Sequence, residues 1–190
     1  MIELPKLILA SGSPRRSEIL TSVGWTFIKH PADIDESEID GESPADYVRR
    51  LAVEKAEAVA GEYPGSIILG ADTTVVIDGM IIGKPLDLDD ARRMIAMLAG
   101  NWHDVLTGIA VSQDGKSRSA IQTTRVKFAP MTASEIEYLA VCGDPLDKAG
   151  AYAVQAQAAL FIEGIDGDYW NVVGLPVKLV YDLVMKRPGY

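Results

Sequence analysis

Residues that build disulfide bonds, zinc sites and nucleophile–histidine pairs are scarce in this chain. Among 190 residues, cysteine occurs once, at Cys142, and histidine twice, at His30 and His103. A single cysteine excludes a disulfide within the chain, favours a reducing compartment, and leaves a thiolate zinc site without partners. The two histidines lack metal-ligand spacing and offer little material for histidine-based catalysis. We interpret Cys142 as a small apolar residue near a helix end rather than as a nucleophile.

Positive charge and long apolar runs are also lacking. The chain has 18 Lys plus Arg against 27 Asp plus Glu, a net charge of −9. No basic run interrupts this acidic balance, so we expect neither nucleic-acid binding nor attachment to an anionic membrane. No apolar stretch reaches the roughly 18 residues that a spanning helix needs, and the N-terminus lacks a signal-peptide pattern. A soluble, cytoplasmic protein is expected, in which a few clustered cations can still bind a small anion.

The remaining composition is that of a globular protein, with 48% hydrophobic and 24% charged residues. A single domain over residues 1–190 is expected, either undivided or bilobed. Strands and helices are mixed, and hairpin signals argue against a wholly parallel sheet, so the predicted class is α/β or α+β with a mixed sheet. The predicted strands are 6–10, 25–29, 66–71, 75–77, 80–82, 105–112, 119–128, 159–163 and 169–173. The predicted helices begin near residues 14, 44, 88, 132 and 176.

The turn after the first predicted strand has the features of an anion site. Ser13 suits an N-cap and Pro14 the first helical position, so the turn presents free N–H groups and the positive end of a helix dipole. Arg15 and Arg16 add guanidinium groups that match phosphate oxygens. A capped surface helix with solvated arginines explains the same residues equally well.

Lys55 lies on the apolar face of the second predicted helix. At about 100° per residue, it falls among Leu51, Ala52 and Val59. Burying an unpaired ammonium group is costly, so such a lysine either extends its amine to solvent or meets an anion. We therefore regard Lys55 as the most informative lysine in the chain.

An acidic residue, Asp72, closes an apolar strand, where open sheets commonly place ligands. The Asp78-Gly79 pair predicts a two-residue hairpin turn in which Thr73 pairs with Lys84, so that Lys84 lies beside Asp72. A structural ion pair is the alternative interpretation. The segment around Lys84 is not a Walker A loop, because Pro85 stands where Ser or Thr is required.

Two further segments add polar groups. The acidic loop that contains Glu36 is a solvated surface or a source of oxygen ligands for Mg²⁺. Gln155 lies among small residues. It either contacts the edge of a nucleotide base or is a surface residue of a strand with no role in binding. Taken together, cations that match phosphate and a few carboxylates indicate a metal-assisted reaction on a phosphorylated small molecule.

Seven segments, in order along nearly the whole chain, resemble the Maf family of nucleotide pyrophosphatases. They are Ser11-Gly12-Ser13-Pro14-Arg15-Arg16, Glu54-Lys55-Ala56, Gly70-Ala71-Asp72-Thr73, Gly83-Lys84-Pro85, His103-Asp104-Val105-Leu106-Thr107-Gly108, Asp147-Lys148-Ala149-Gly150-Ala151-Tyr152 and Asn171-Val172-Val173-Gly174-Leu175-Pro176. The resemblance implies an elongated fold with a central cleft, related to the inosine triphosphate pyrophosphatases and often dimeric. It also implies cleavage of a nucleoside triphosphate between its α- and β-phosphates with Mg²⁺ or Mn²⁺.

The resemblance also assigns roles to single residues. It implies that Asp72 is the catalytic aspartate, that Glu36 and Asp72 bind the metal, and that Lys55 and Lys84 are catalytic cations. The other implied substrate-binding residues are Ser13, Arg15, Arg16, Thr73 and Gln155.

Three of these residues point to one branch of the family. Arg15, Thr73 and Gln155 are similar to those of the branch that hydrolyses dTTP and UTP, whereas a branch acting on 7-methyl-GTP often has tryptophan where Arg15 stands. The alternatives are the same chemistry on a modified nucleotide such as 7-methyl-GTP, or a nucleotide-binding regulator of septum formation.

Overall fold

A computed structural model describes residues 2–186 of the chain. Its strands are β1 (Leu7–Leu9), β2 (Phe27–Lys29), β3 (Ile67–Ile77), β4 (Met80–Ile82), β5 (Trp102–Gln113), β6 (Lys116–Phe128) and β7 (Ile162–Asp166). Its α-helices are α1 (Pro14–Ser22), α2 (Pro44–Ala60), α3 (Leu88–Leu98), α4 (Ala133–Cys142), α5 (Tyr169–Val173) and α6 (Val177–Val184), and short 3-10 helices span Ala149–Ala151 and Gln157–Leu160.

The strands form a mixed sheet. Within residues 2–186 its order is β2-β1-β3-β5-β6-β7, and β4 pairs with β3. β1 is parallel to both β2 and β3, whereas β3 with β4 and β6 with β7 are antiparallel pairs. The predicted class, α/β with a mixed sheet, is therefore confirmed. No helix in residues 2–186 has the length and apolar character needed to span a membrane.

The described chain divides into two compact units. The first comprises residues 2–72, 107–122 and 174–186, and the second comprises residues 73–106 and 123–173. In the first unit, α2 packs on the sheet around Ile8, Ala52 and Ile68, which are buried. In the second unit, a larger apolar cluster includes Leu98 and Phe128, which are fully buried.

Most predicted turns and helix starts are confirmed. The side chain of Ser43 accepts the N–H of Asp46 at the start of α2, and Thr132 with Glu135 forms the predicted capping box of α4. The two-residue turn pairs Ile77 with Met80. Its central residues, Asp78 and Gly79, have positive φ angles of 51° and 78°, which Asp-Gly adopts at low cost. Cys142 is the last residue of α4 and is exposed.

One strand prediction is wrong, one strand is displaced along the chain, and two predicted strands are joined into one. Residues 169–173 form the helix α5, whose first turn is capped because Asp168 accepts the N–H of Trp170 at 2.8 Å. The predicted strand 159–163 lies instead at Ile162–Asp166, after a 3-10 helix. β3 is one continuous strand of 11 residues, where two separate strands were predicted. Its apolar residues at consecutive positions fit a strand that is buried on both faces.

The predicted pairing of Thr73 with Lys84 is also wrong. In the described chain the β3–β4 ladder ends at Val75 and Ile82. The carbonyl of the next residue, Gly83, accepts the N–H of Gly150 at 3.0 Å, so the backbone leaves β3 at this point. Pro85 has no N–H with which to extend the ladder.

Candidate active site

The site in the first unit is built around Lys55, on the inward face of α2. Only 7% of this residue is exposed. Its Nζ lies 2.6 Å from Oδ1 of Asp72 and 2.7 Å from Oε1 of Glu36. The buried lysine therefore meets two anions, which is the second of the two outcomes expected from its place in the apolar stripe.

Close packing between α2 and β3 makes this contact possible. A Cβ atom on Gly70 would lie 2.1 Å from the carbonyl oxygen of Ala52 and 2.8 Å from the nitrogen of Ala56. Only glycine permits so short an approach of the two backbones. Asp72 follows two residues later on β3, so the approach that Gly70 allows places its carboxylate within reach of Lys55.

The carboxylate of Asp72 is buried, with 8% of the residue exposed. Burial raises the pKa of Asp72 above its ordinary value, because desolvation disfavours the charged form. The positive charges of Lys55 and Arg16 act in the opposite direction, and the negative charge of Glu36 adds to the effect of burial. Burial therefore has the largest effect on the pKa of Asp72, and the charges of Lys55, Arg16 and Glu36 modify it.

The turn before α1 contributes a buried arginine. Nη1 of Arg16 donates to Oγ of Ser11 at 2.8 Å, and its Nε donates to the carbonyl of Gly174 at 2.9 Å. Burial lowers the pKa of Arg16, while Asp72 and Glu36 raise it. A solvated surface arginine is therefore the wrong interpretation for Arg16, which is held in a fixed direction within the range of both carboxylates.

The neighbours of Arg16 on the same turn are half-buried. Ser13 takes the N-cap position of α1 with extended backbone angles, but its side chain makes no capping hydrogen bond, and its N–H donates to Oγ of Ser11 at 3.3 Å. The charge of Arg15 lowers the pKa of Arg16, which places the two guanidinium groups within electrostatic range. The binding of an anion at this turn remains a prediction.

Two residues of the site were missed in the sequence. Tyr47 and Arg50 lie on α2 and contact the loop that carries Glu36. Burial raises the pKa of Tyr47 to about 12, and the negative charges of Asp72 and Glu36 add to this effect. For Tyr47 the available signal was spacing, because it precedes Lys55 by eight residues, which at about 100° per residue places the two side chains within about 80° of each other.

The other predicted site residues lie in the second unit. Thr73 is half-buried on β3, Lys84 is exposed in the segment after β4, and Gln155 is exposed between the two 3-10 helices. The hydrogen bond from Gly150 to Gly83 joins the segment of Lys84 to the first 3-10 helix. The roles of Thr73, Lys84 and Gln155 remain predictions.

The donor atoms present fit a magnesium ion better than a softer metal. Within residues 2–186, no group of three or more His, Cys, Asp and Glu side chains could hold a metal ion. Glu36 and Asp72 nevertheless offer carboxylate oxygens that both contact the same lysine amine. Mg²⁺ is commonly held by one or two carboxylates together with substrate phosphates and water, so two protein ligands suffice.

Comparison with known proteins gives these residues a family. The model of the family described as Maf-like protein matches residues 6–187. The chain belongs to the Maf family. Among curated relatives, the dTTP/UTP pyrophosphatase of Symbiobacterium thermophilum is 48% identical over 174 residues, covering 92% of this chain and 90% of the relative. The dTTP/UTP pyrophosphatase of Koribacter versatilis is 46% identical over 183 residues, covering 96% and 94%.

A solved structure supports the fold of this Maf-family chain. The Ham1 protein of Staphylococcus aureus matches with a TM-score of 0.55 and 13% identity, over 95% of this chain and 98% of that one. At this identity the likeness concerns the fold alone.

Proposed function

We propose that this Maf-family protein hydrolyses dTTP and UTP between the α- and β-phosphates, giving a nucleoside monophosphate and pyrophosphate. The observation that carries the proposal is the contact of buried Lys55 with Asp72 and Glu36, near the oriented guanidinium of Arg16. The names of relatives that are 46–48% identical over nearly the whole chain support the choice of substrate.

Asp72 is the proposed base. An ordinary aspartate is a weak base at neutral pH, and a raised pKa brings it closer to the range in which proton transfer is effective. Its carboxylate orients the attacking water and accepts a proton from it. Lys55 holds the carboxylate in place through the 2.6 Å contact with Oδ1.

Glu36 and Asp72 are the proposed ligands of a divalent ion, Mg²⁺ or Mn²⁺. When bound, such an ion lowers the pKa of water and neutralises charge on phosphate oxygens. Glu36 is suited to this role because its side chain is 48% exposed and is therefore open to an arriving metal–nucleotide complex.

The cations are proposed to bind the triphosphate and to stabilise charge on the departing pyrophosphate. Arg16 is fixed by Ser11 and Gly174, so little conformational entropy is lost when it meets a phosphate. The other proposed phosphate ligands are Ser13, Arg15, Lys55 and Lys84. Thr73 and Gln155, together with Arg15, are proposed to select the base.

The decisive experiment compares kcat/KM for dTTP, UTP, CTP, 7-methyl-GTP and ITP with Mg²⁺. We expect dTTP and UTP to be preferred, and Asp72→Asn to lower kcat by about 10²–10⁴-fold, the range for loss of a general base. Asp166→Asn, at an exposed strand position, is the matched control and should keep full activity.

Other outcomes would overturn parts of the proposal. Preference for 7-methyl-GTP or another purine would overturn the roles given to Arg15, Thr73 and Gln155. Nucleotide binding without turnover in the unmodified protein would overturn the enzyme assignment in favour of a regulator of septum formation. Cytoplasmic action and a homodimer belong to the same proposal, and fractionation and light scattering test them.

A further inference from the structure

The loop that carries Glu36 has no regular structure of its own. In the described chain, residues 30–43 form neither helix nor strand, and Glu36 lies near the middle of this segment. The loop itself is residues 33–42 of the segment. A carboxylate on such a segment stays within 2.7 Å of Lys55 only if other contacts restrain the backbone around it. The restraining contacts come from α2.

Two side chains of α2 hold successive carbonyl groups of the loop. The hydroxyl of Tyr47 donates to the carbonyl of Glu36 at 3.0 Å. Nη2 of Arg50 donates to the carbonyl of Ser37, also at 3.0 Å. Tyr47 and Arg50 are three residues apart and therefore neighbours on one side of the helix. Since Lys55 is on the same helix, α2 holds both the backbone and the carboxylate of Glu36.

Arg50 also anchors the far end of the loop. Its Nε and Nη2 donate to the two carboxylate oxygens of Glu42 at 2.7 and 2.8 Å, and its Nη1 donates to Glu54 at 3.3 Å. The side chain of Arg50 is 20% exposed and that of Glu42 is 10% exposed, so neighbouring groups cover most of both side chains. A planar guanidinium can make all these contacts at once, whereas a lysine amine cannot.

We propose that Tyr47 and Arg50 are positioning residues that hold the loop of residues 33–42 against α2 and keep the carboxylate of Glu36 at Lys55. The structural part of this proposal needs no substrate. Its catalytic part rests on the proposed function, because it acts through the metal-binding role of Glu36.

Hydrogen exchange of the protein without nucleotide or metal tests the structural part. The N–H of Ser37 donates to Asp35 at 2.9 Å and that of Glu42 donates to Ile39 at 2.9 Å, so both amides report loop order. We expect Arg50→Ala to speed their exchange at least tenfold. The matched control is Arg49→Ala, since Arg49 is exposed and pairs with Asp46 outside the loop. Unchanged exchange in Arg50→Ala would overturn the proposal, even if the enzyme is active.

A double-mutant cycle tests the catalytic part. We expect Arg50→Ala and Glu36→Gln each to raise the Mg²⁺ concentration for half-maximal activity by about tenfold, and Arg50→Ala to add less than twofold in the Glu36→Gln background. Arg50→Lys should restore little of the Mg²⁺ affinity lost in Arg50→Ala, because a lysine amine cannot make all the contacts of the guanidinium at once. Equal losses in both backgrounds would overturn action through Glu36.

Tyr47→Phe is the variant that should disturb folding least, because it removes only the hydroxyl that donates to the carbonyl of Glu36. We expect faster loop exchange and a higher Mg²⁺ requirement, with the melting temperature kept. Tyr138→Phe, at an exposed tyrosine on α4, is its control. No change in either property in Tyr47→Phe would remove Tyr47 from the proposal.

Discussion

Lys55 combines burial and charge within one side chain. Its helical neighbours Leu51 and Ala52 are fully buried, and an ammonium group among them is tolerated because two carboxylates take the place of water. Removing one member of a buried ion pair destabilises a protein more than replacing the whole pair with apolar residues does, because the remaining charge stays buried without a partner. The same contacts set the protonation of Asp72, which the proposed reaction requires in its ionised form.

The pKa of Asp72 should therefore move in opposite directions in two variants. Lys55→Met removes a positive charge and should raise the pKa further, whereas Glu36→Gln removes a negative charge and should lower it. Carbon-13 NMR of the aspartate carboxyl signals across pH measures both, and Asp72→Asn identifies the signal. In active variants, the acid limb of kcat/KM should shift in the same direction. A shift of the same sign in both variants would contradict this account.

At the scale of elements, the site depends on how closely α2 lies against the sheet. Gly70 on β3 faces the backbone of α2, and Gly108 on β5 does the same, since a Cβ there would lie 2.1 Å from the carbonyl oxygen of Val48. A larger residue at either position would separate the helix from its strands. The distance from Lys55 to Asp72 therefore depends on glycines that make no polar side-chain contact themselves.

Gly70→Ala should damage both stability and activity. The added methyl meets backbone atoms that cannot turn aside, so α2 must shift, and we expect a loss of about 1–3 kcal/mol in unfolding free energy. Urea denaturation measures this loss, and the kcat of the folded variant reports the displaced Lys55.

Gly61→Ala is the matched control. Gly61 ends the same helix with a φ of −63° and open space around it. The unfolding free energy of Gly61→Ala should be unchanged or raised by less than about 1 kcal/mol. Equal effects of the two substitutions would contradict the argument from close packing.

At the scale of the whole molecule, each unit has its own core, and the core of the second contains an ionisable group. His103 is 3% exposed, its ring packs edge-on against Phe128 and Tyr152, and its Nε2 lies 2.7 Å from the hydroxyl of Tyr152. Among residues 2–186, its Nδ1 has no hydrogen-bond partner. Burial lowers the pKa of His103 to about 4.

Global stability should consequently fall on mild acidification. Because the folded state holds His103 neutral down to about pH 4 and the unfolded state protonates it near 6.5, the unfolded state binds more protons between these values. The contribution of neutral His103 to the free energy of unfolding is complete above pH 6.5. It is lost as the pH falls towards 4, with a total of about 3 kcal/mol. Urea unfolding at pH 7, 6 and 5 should show this slope, and His103→Gln should flatten it. The same slope in His103→Gln would exclude His103 as its source.

Local signals predicted much of the fold and part of the site. The caps before α2 and α4 and the turn at Asp78-Gly79 were predictable, because each depends on residues a few positions apart. Burial of Lys55 was predictable from helical spacing. The helix at Tyr169–Val173 was not, because its apolar and aromatic residues also suit a strand, and the cap from Asp168 decided it. The pairing of Thr73 with Lys84 failed because a distant residue, Gly150, takes the carbonyl of Gly83.

The sequence by itself determined the α/β class with a mixed sheet, most of the helix starts and the Maf motifs. It also determined that Lys55 lies on the inward face of α2. These follow from short-range chemistry, which depends on spacing along the chain. Only the tertiary structure decided that Lys55 meets both Glu36 and Asp72, that Ser11 and Gly174 fix Arg16, and that Tyr47 and Arg50 hold the loop of Glu36. Such contacts join residues that are far apart in the chain, and they depend on how closely the helices and strands pack.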